Sequence, residues 1–456
     1  MRLTTIDRYL PEPGRVVEFV PSAAALAVAE GAAASAVPPS FNQRFHLAGS
    51  TGNWLGCAFD LHGTVDVEAL RAALERWVRR HGTLCSGFRA GGERFLVPAE
   101  RTELVARDAG ESGGPEELRA WLAGRLAAAC GRLGWPSYLF LVVLRPGGGT
   151  VFCGFDHAHV DAYSLAIAVH ELRESYAGRP LPAGVGSFVD HCAREQALAA
   201  GPPPAASDPR VRGWAAFFAA CGGTTPSFPA ALGEPAAQDT DVRRLLDAAG
   251  ADALEAHCRA AGGGAFAGLL TAFGLAGRSL GAGEELRLCV PLHTRDEERW
   301  ERAVGWFTTV APMTVDVTGV TTAVDGAGRV RSAFREARRI ASVPVARLLG
   351  TLERNGEFRR VGDDVFMVSY VDYRRLPGAA DHIACRAHHV SGVTVADDAQ
   401  FWLARTHEGL FLRSRHPGTA VARAVVGEFT DAVTAVVREA ADGRRAGSRR
   451  GAARRR

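Results

Sequence analysis

Apolar residues recur at helical spacing in several stretches of the chain. Phe59-Asp60-Leu61-His62-Gly63 reads as the end of a strand, and beyond it Val67, Leu70, Leu74, Trp77 and Val78 form one apolar stripe. Asp66 stands just ahead of that stripe, where a short carboxylate accepts the free N–H groups of a first helical turn; His81-Gly82 ends it. Tyr138 to Leu144 is a continuous apolar run between Pro136 and Pro146-Gly147-Gly148-Gly149. This predicts a central strand, a glycine turn and a second strand, Thr150 to Phe155. Leu165, Val169 and Leu172 then share one face of a helix over Ser164 to Tyr176, closed by Gly178. Ser22 to Val37 is alanine-rich like a signal-peptide core. It contains Glu30, lacks a basic flank immediately before it and lies deep in the chain, so a short helix ended by Pro38-Pro39 is expected instead.

Ala200 to Asp208 is rich in Pro, Ala and Ser and reads as a linker. The order of elements partly repeats beyond it. Helices are predicted over Ala251 to Ala261, Phe266 to Leu280, Val330 to Ile340 and Val421 to Ala440. Strands are predicted over Leu286 to Leu292, around Val304 to Val317, over Phe366 to Tyr370 and over Phe401 to Phe411. At about 100–200 residues per domain, 456 residues accommodate two α/β halves. The expected boundaries are an N-terminal lobe over residues 1–199, a linker over 200–209, a C-terminal lobe over 210–441 and a disordered arginine-rich tail over 442–456.

Composition narrows the function. Hydrophobic residues make 47% and charged residues 23%, values that support a packed core and exclude a disordered chain. No window has the roughly 18 uncharged apolar residues of a membrane span. The formal charge of +3 comes from the end of the chain: Arg444 to Arg456 holds seven arginines and no acid, and the other 443 residues carry 46 arginines against 50 acids. No basic nucleic-acid face is therefore expected on the folded part. The chain has no lysine, which excludes a Schiff-base lysine, a pyridoxal-phosphate enzyme and a Walker A lysine. The nine cysteines are irregularly spaced, form no C-x-x-C pair and mostly sit among apolar neighbours. They read as reduced, buried thiols of a cytoplasmic protein.

The chemistry concentrates in Phe155-Asp156-His157-Ala158-His159-Val160-Asp161-Ala162-Tyr163-Ser164, where a buried strand passes through a loop into a helix. Imidazole is the side chain best suited to take a proton near neutral pH. An Asp four residues on can fix the loop that presents it, given a cationic partner. Two readings compete. His157, His159 and Asp161 form H-x-H-x-D, close to the metal-binding pattern of metallo-β-lactamase-like hydrolases, but Ala162 stands where that pattern needs another histidine. The other reading is acyl transfer.

For that reading the segment resembles the H-H-x-x-x-D-G signature of the condensation-domain superfamily. His157 matches the second histidine and Asp161 the aspartate, whereas Asp156 replaces the first histidine and Ala162 the glycine. Leu61-His62-Gly63-Thr64-Val65-Asp66-Val67-Glu68-Ala69-Leu70 resembles the first strand and helix of such domains. Val290-Pro291-Leu292-His293-Thr294-Arg295 and Val304-Gly305-Trp306-Phe307-Thr308-Thr309-Val310-Ala311-Pro312-Met313 resemble their second-half motifs. Pro11-Glu12-Pro13-Gly14, Val37-Pro38-Pro39-Ser40-Phe41-Asn42-Gln43, Val211-Arg212-Gly213-Trp214 and Phe228-Pro229 are similar to the mycobacterial polyketide-associated acyltransferases of trehalose lipids.

The resemblance implies an α/β fold of two chloramphenicol-acetyltransferase-like lobes, a V-shaped pseudo-dimer with the active site in a central cleft and tunnel. It implies His157 as general base, Asp161 as its structural support and Arg295 as the buried partner of Asp161. Asp156, Ala162, Trp306, Thr308 and Thr309 are expected to border the substrates, a threonine hydroxyl aiding the oxyanion. Little contact is expected between Asp156 and His157, since neighbours on a strand point to opposite faces. His159 is expected to pack, and Ser164 to start its helix rather than act as a nucleophile. His388-His389 lacks a following Asp, and Gly262-Gly263-Gly264 reads as an interhelical loop. The implied reaction moves a fatty or polyketide acyl group from a coenzyme A or carrier-protein thioester to a hydroxyl, in lipid or secondary-metabolite biosynthesis, with no bound cofactor or metal. The implied partners are the donor thioester, with a carrier protein or polyketide synthase as its source, and the acceptor. Amide formation is the variant within the same chemistry. The alternative from another class is a non-catalytic carrier-protein-binding domain, motivated by Asp156 and Ala162.

Overall fold

A computed structural model of the chain describes residues 1–49, 52–202, 204–343 and 345–443. The arginine-rich stretch from residue 444 onward lies outside the described residues. The chain divides into two compact units. Met1–Gly201 forms the first unit together with two later segments, His293–Thr308 and Tyr373–Thr394. The rest forms the second. The first switch falls at Gly201, inside the expected linker, but residues 210–441 are not one contiguous lobe: Arg295, Trp306 and Thr308 belong to the first unit and Thr309 to the second.

The strands, in chain order, are β1 (Arg2–Thr5), β2 (Arg15–Pro21), β3 (Trp54–His62), β4 (Ser86–Phe88), β5 (Arg94–Leu96), β6 (Leu104–Glu111), β7 (Tyr138–Arg145), β8 (Gly148–Asp156), β9 (Ala236–Asp247), β10 (Glu285–His293), β11 (Thr308–Asp316), β12 (Met367–Asp372), β13 (His388–Ser391), β14 (Val395–Ala396), β15 (Gln400–Thr406) and β16 (Gly409–Pro417). The first unit holds a seven-stranded sheet in the order β1-β13-β3-β8-β7-β2-β6. Its centre is antiparallel, with Trp54 opposite Asp156 and Leu139 opposite Gly154. β13 runs parallel to β1 and antiparallel to β3, so the late His388-His389 pair becomes part of this sheet. His389 is buried there, within hydrogen-bond distance of the Tyr373 hydroxyl.

The continuous apolar run of β7 follows from burial on both faces. Leu139, Leu141 and Val143 pack with Leu118, Leu122 and Leu126 of helix Pro115–Ala129. The alternate residue Phe140 packs, with Phe155, against Trp77 of helix Val67–Arg80. Asp66 caps that helix through the Ala69 N–H, as the sequence predicts. Helix Ala162–Tyr176 follows directly from the loop beyond β8. These contacts place the end of β8 between two layers of helices, with little freedom for the loop that leaves it.

The second unit repeats the mixed α/β plan with the sheet order β11-β10-β12-β15-β16-β9-β14. Phe228, Phe273, Phe366, Phe401 and Phe429 meet in its core, against helices Ala265–Ser279 and Ala420–Ala441. Gly262-Gly263-Gly264 joins helices Ala248–Ala260 and Ala265–Ser279, as an interhelical loop. Three expectations change. The strand expected over Phe401 to Phe411 is a hairpin, β15 and β16, turning at His407-Glu408 into Gly409 with φ 145°. Residues 304–307 form a loop, and β11 starts only at Thr308. The helix expected over Ser22 to Val37 spans Ala23–Gly31, and a second helix, Phe41–Ala48, starts after the prolines. Among the described residues no single helix is long and apolar enough to cross a membrane.

Trp77 is fully buried between β7, β8 and the Val67–Arg80 helix. Trp77→Ala is expected to cost about 3–5 kcal/mol. Urea denaturation followed by far-ultraviolet circular dichroism would register it as a lowered midpoint.

Candidate active site

β8 ends at Asp156, and His157–His159 forms one short 3-10 turn before Asp161 caps the next helix. The Asp161 side chain accepts from the Ser164 N–H at 2.8 Å, an N-cap bond that fixes the helix start. The same carboxylate accepts from both terminal nitrogens of Arg295, at 2.7 and 3.0 Å, and from the Phe307 N–H at 3.1 Å. Arg295 also donates to the Ala303 carbonyl and to the Ser164 hydroxyl. Its guanidinium lies 4.5 Å from the ring centroids of both Tyr163 and Phe307, a favourable place for a desolvated cation. Burial alone would raise the Asp161 pKa; Arg295 and Ser164 outweigh it and hold the carboxyl below the ordinary range.

Ser164 is fully buried and saturated. Its hydroxyl lies 2.8 Å from Asp161 and 2.9 Å from the Gly305 carbonyl, and it accepts from the Gly305 N–H. It stands in the first turn of a helix that begins two residues earlier than expected, at Ala162, and braces the 293–308 segment. A Cβ on Gly305 would lie 2.4 Å from Phe188, so only glycine fits there. Ala162 is the first residue of the helix. Arg386 is the only non-glycine residue with positive φ among the described residues, so the turn needs no glycine at 162.

His157 is partly buried. Its Nδ1 lies 3.0 Å from the Val160 carbonyl oxygen. A carbonyl only accepts, so Nδ1 carries the proton and Nε2 keeps the lone pair of the neutral ring. Burial, and then His46, push the His157 pKa below the ordinary imidazole value. Trp306 stacks on this ring, with centroids 4.1 Å apart and planes 28° apart. Phe307 is buried beside Phe188 and Trp300. His159 packs on Phe88, its Nδ1 near the Thr83 hydroxyl, and burial pushes its pKa down to about 4.

Asp156 and His157 do diverge as expected. The Asp156 carboxylate accepts from the Ala158 N–H and from Nε2 of His46, at 2.9 and 3.0 Å. His46 is not singled out by the sequence, whereas Asn42 and Gln43 of the same helix belong to the Val37 to Gln43 segment of the resemblance without being expected at the site. Gln43 Nε2 donates to the Ala158 carbonyl, and Asn42 Nδ2 donates to the Thr308 carbonyl at 2.6 Å. The one local signal was Ser40-x-x-Gln43, a capping box that the structure contains. The sequence separation of 110 between His46 and Asp156 hides the rest.

Of the predicted site residues, His157, Asp161, Arg295, Asp156, Ala162, Trp306 and Thr308 lie in the first unit, while Thr309 is assigned to the second. With Asp161 saturated by Arg295, Ser164 and Phe307, H-x-H-x-D offers no free carboxylate for a metal. Among the described residues no group of three or more His, Cys, Asp or Glu is arranged to hold one.

Residues 138–371 match the family model for the condensation domain. The acyltransferase PapA3 of Mycobacterium tuberculosis is 25% identical over 97% of this chain and 97% of its own length. The trehalose-2-sulfate acyltransferase PapA2 of Mycobacterium bovis is 28% identical, over 69% of this chain and 70% of its own. The solved structure of a PapA2 acyl transferase superposes with a TM-score of 0.88 at 25% identity, covering 97% of this chain and 100% of that one. A condensation domain that releases chains from the enacyloxin polyketide synthase shares the fold, with a TM-score of 0.61 at 21% identity over 91% and 86% of the two chains.

Removing the cation from the Asp161 pair leaves a buried charge unpaired. Arg295→Ala is expected to lose about 3–5 kcal/mol of stability at neutral pH. The Asp161 pKa is lowered in the folded state, so its contribution is complete above the unfolded value and is lost as pH falls through the folded one. In a pH series of denaturation curves, wild type should weaken on acidification below about pH 4, and Arg295→Ala should show a flatter acid limb.

Proposed function

Because the chain belongs to the condensation-domain family, we propose that it is an acyltransferase that moves a fatty or polyketide acyl group from a thioester to an acceptor hydroxyl, with His157 as the general base. The observation that carries the reading is the Nδ1–H bond of His157 to the Val160 carbonyl. It leaves one nitrogen, Nε2, to take a proton, on a ring that burial keeps neutral near pH 7. Nε2 removes the acceptor hydroxyl proton as the oxygen attacks the thioester carbonyl. The tetrahedral intermediate collapses, the carbon–sulfur bond breaks and the thiolate takes the proton back from His157. Asp161 and Arg295 act on the loop rather than on the substrates. A single hydroxyl, of Thr308 or of Thr309, is the proposed aid to the oxyanion.

A direct transfer fits the state of the candidate nucleophiles on the adjoining elements. Ser164 is buried and saturated, and burial raises the thiol pKa of the nearby Cys130 and Cys153. The donor is a coenzyme A or carrier-protein thioester, and no resident cofactor or metal enters the chemistry. Both relatives named above are acyltransferases by name, and the PapA2 name specifies a trehalose sulfate acceptor. A sugar hydroxyl is accordingly the first acceptor to test, with an amine as the variant. Action on metabolites inside the cytoplasm is part of the same proposal. A non-catalytic carrier-docking role is disfavoured by the intact Asp161–Arg295 pair and by the unstrained helix start at Ala162.

Free-thiol release from acyl-coenzyme A thioesters of increasing length, with sugar and alcohol acceptors, tests the reading. Wild type is expected to release thiol in a chain-length-dependent way, with an acid limb whose midpoint lies below about 6.5. His157→Ala, folded by circular dichroism, is expected to lose at least about 10²-fold. Equal release from both proteins would remove His157 from the mechanism. If wild type releases nothing from coenzyme A, acyl-loaded carrier protein is the next donor, and silence there as well would overturn the enzymatic reading.

A further inference from the structure

The helix Phe41–Ala48 sends three side chains to the histidine loop and the motif around Trp306, and nothing in the reaction outlined above uses them. Asn42 holds the Thr308 carbonyl, Gln43 holds the Ala158 carbonyl and His46 holds Asp156. Gln43 and His46 lie three residues apart, on one helical face. Gln43 is itself locked: its Oε1 accepts from the Ser40 N–H and from the buried Arg94 at 2.6 Å. The His46 ring is 8% exposed and its Asp156 partner is fully buried. Its centroid lies 6.4 Å from that of His157 and 6.0 Å from that of Trp306, the ring stacked on His157.

We infer that His46, bound to Asp156, is a positioning residue for His157: the pair fixes the turn that carries the base and sets the charge beside it. The inference rests on the acyl-transfer reading for its kinetic consequences but not for its physical content. A carboxylate only accepts, so the Asp156 bond commits Nε2 of His46 as donor. Asp156 also accepts from the Ala158 N–H, so the bond to His46 orients the residue on each side of His157. The two partners act on the base with opposite sign: His46 lowers its proton affinity and Asp156 raises it. The other ionisable groups around this turn are already committed. Asp161 is paired with Arg295, Arg94 is bound to Gln43, and His159 is buried against Phe88.

The test compares His46→Ala, His46→Gln and Asp156→Asn with wild type in the full chain, each checked for folding. His46→Ala is expected to lower kcat by about 10–100-fold with little change in KM, as a mispositioned base does. His46→Gln keeps an N–H donor for Asp156 and should recover much of kcat. Nuclear magnetic resonance titration of the histidine rings, with the His157 signal assigned through His157→Gln, reads the charge effect without turnover. The His157 midpoint should move up in both His46 variants, where Asp156 acts unopposed, and down in Asp156→Asn. A purely structural helix would damage all three variants without opposed shifts. Unmoved midpoints, or shifts of one sign in all variants, would overturn the inference. If wild type turns over no thioester while the midpoints move apart as stated, the acyl-transfer reading fails and the positioning of His157 stands.

Discussion

One buried ion pair organises the site. Asp161 is a charge in a place with almost no water, and such a charge is tolerated only when its lone pairs are filled. Arg295 fills two, and Ser164 and Phe307 take others. Each bond also fixes a piece of chain. The Ser164 bonds start the helix, the Phe307 bond anchors the loop that carries Trp306, and Arg295 draws the 293–308 segment into the first unit. His157 touches none of these groups through its side chain. It is placed by the bond between its Nδ1 and the Val160 carbonyl, one residue before Asp161. The pair is therefore a constraint on geometry first and a source of net stability second.

Much of this was legible in the residues. The helices at 67–80 and 162–176 and the strands at 138–145 and 148–156 carry strong periodicity and clear punctuation. Asp66 and Asp161 cap their helices in the ordinary way. The Asp161–Arg295 pair spans 134 residues, and only the resemblance of two separated motifs suggested it. What stayed hidden has physical causes. The run from Phe401 to Phe411 looked like one strand because Thr406-His407-Glu408-Gly409 is a weak turn signal between two apolar strands. The helix at 41–48 has little apolar periodicity, because its inward face is made of Gln43 and His46 rather than of leucines. The return of the 293–308 and 373–394 segments to the first unit is a tertiary fact with no local signature.

The two departures from the motif look different once their surroundings are known. Glycine at 162 would add backbone freedom where the helix has already begun, so alanine is the better residue for this backbone. Asp156 stands where the motif has its first histidine. A carboxylate thus takes the place of an imidazole at the strand end, and the chain supplies an imidazole from the helix at 41–48.

That exchange has a consequence for the base. A bare buried carboxylate one residue before His157 would favour the protonated ring and so spoil it as a proton acceptor. A carboxylate already bound to His46 and to the Ala158 N–H has part of its charge offset by those donors. The ring can then stay neutral, with Nδ1 tied to Val160 and its face covered by Trp306. A carboxylate at 156 is thus compatible with a base at 157 because of its partner, and the motif and the helix at 41–48 are best understood as one unit of design.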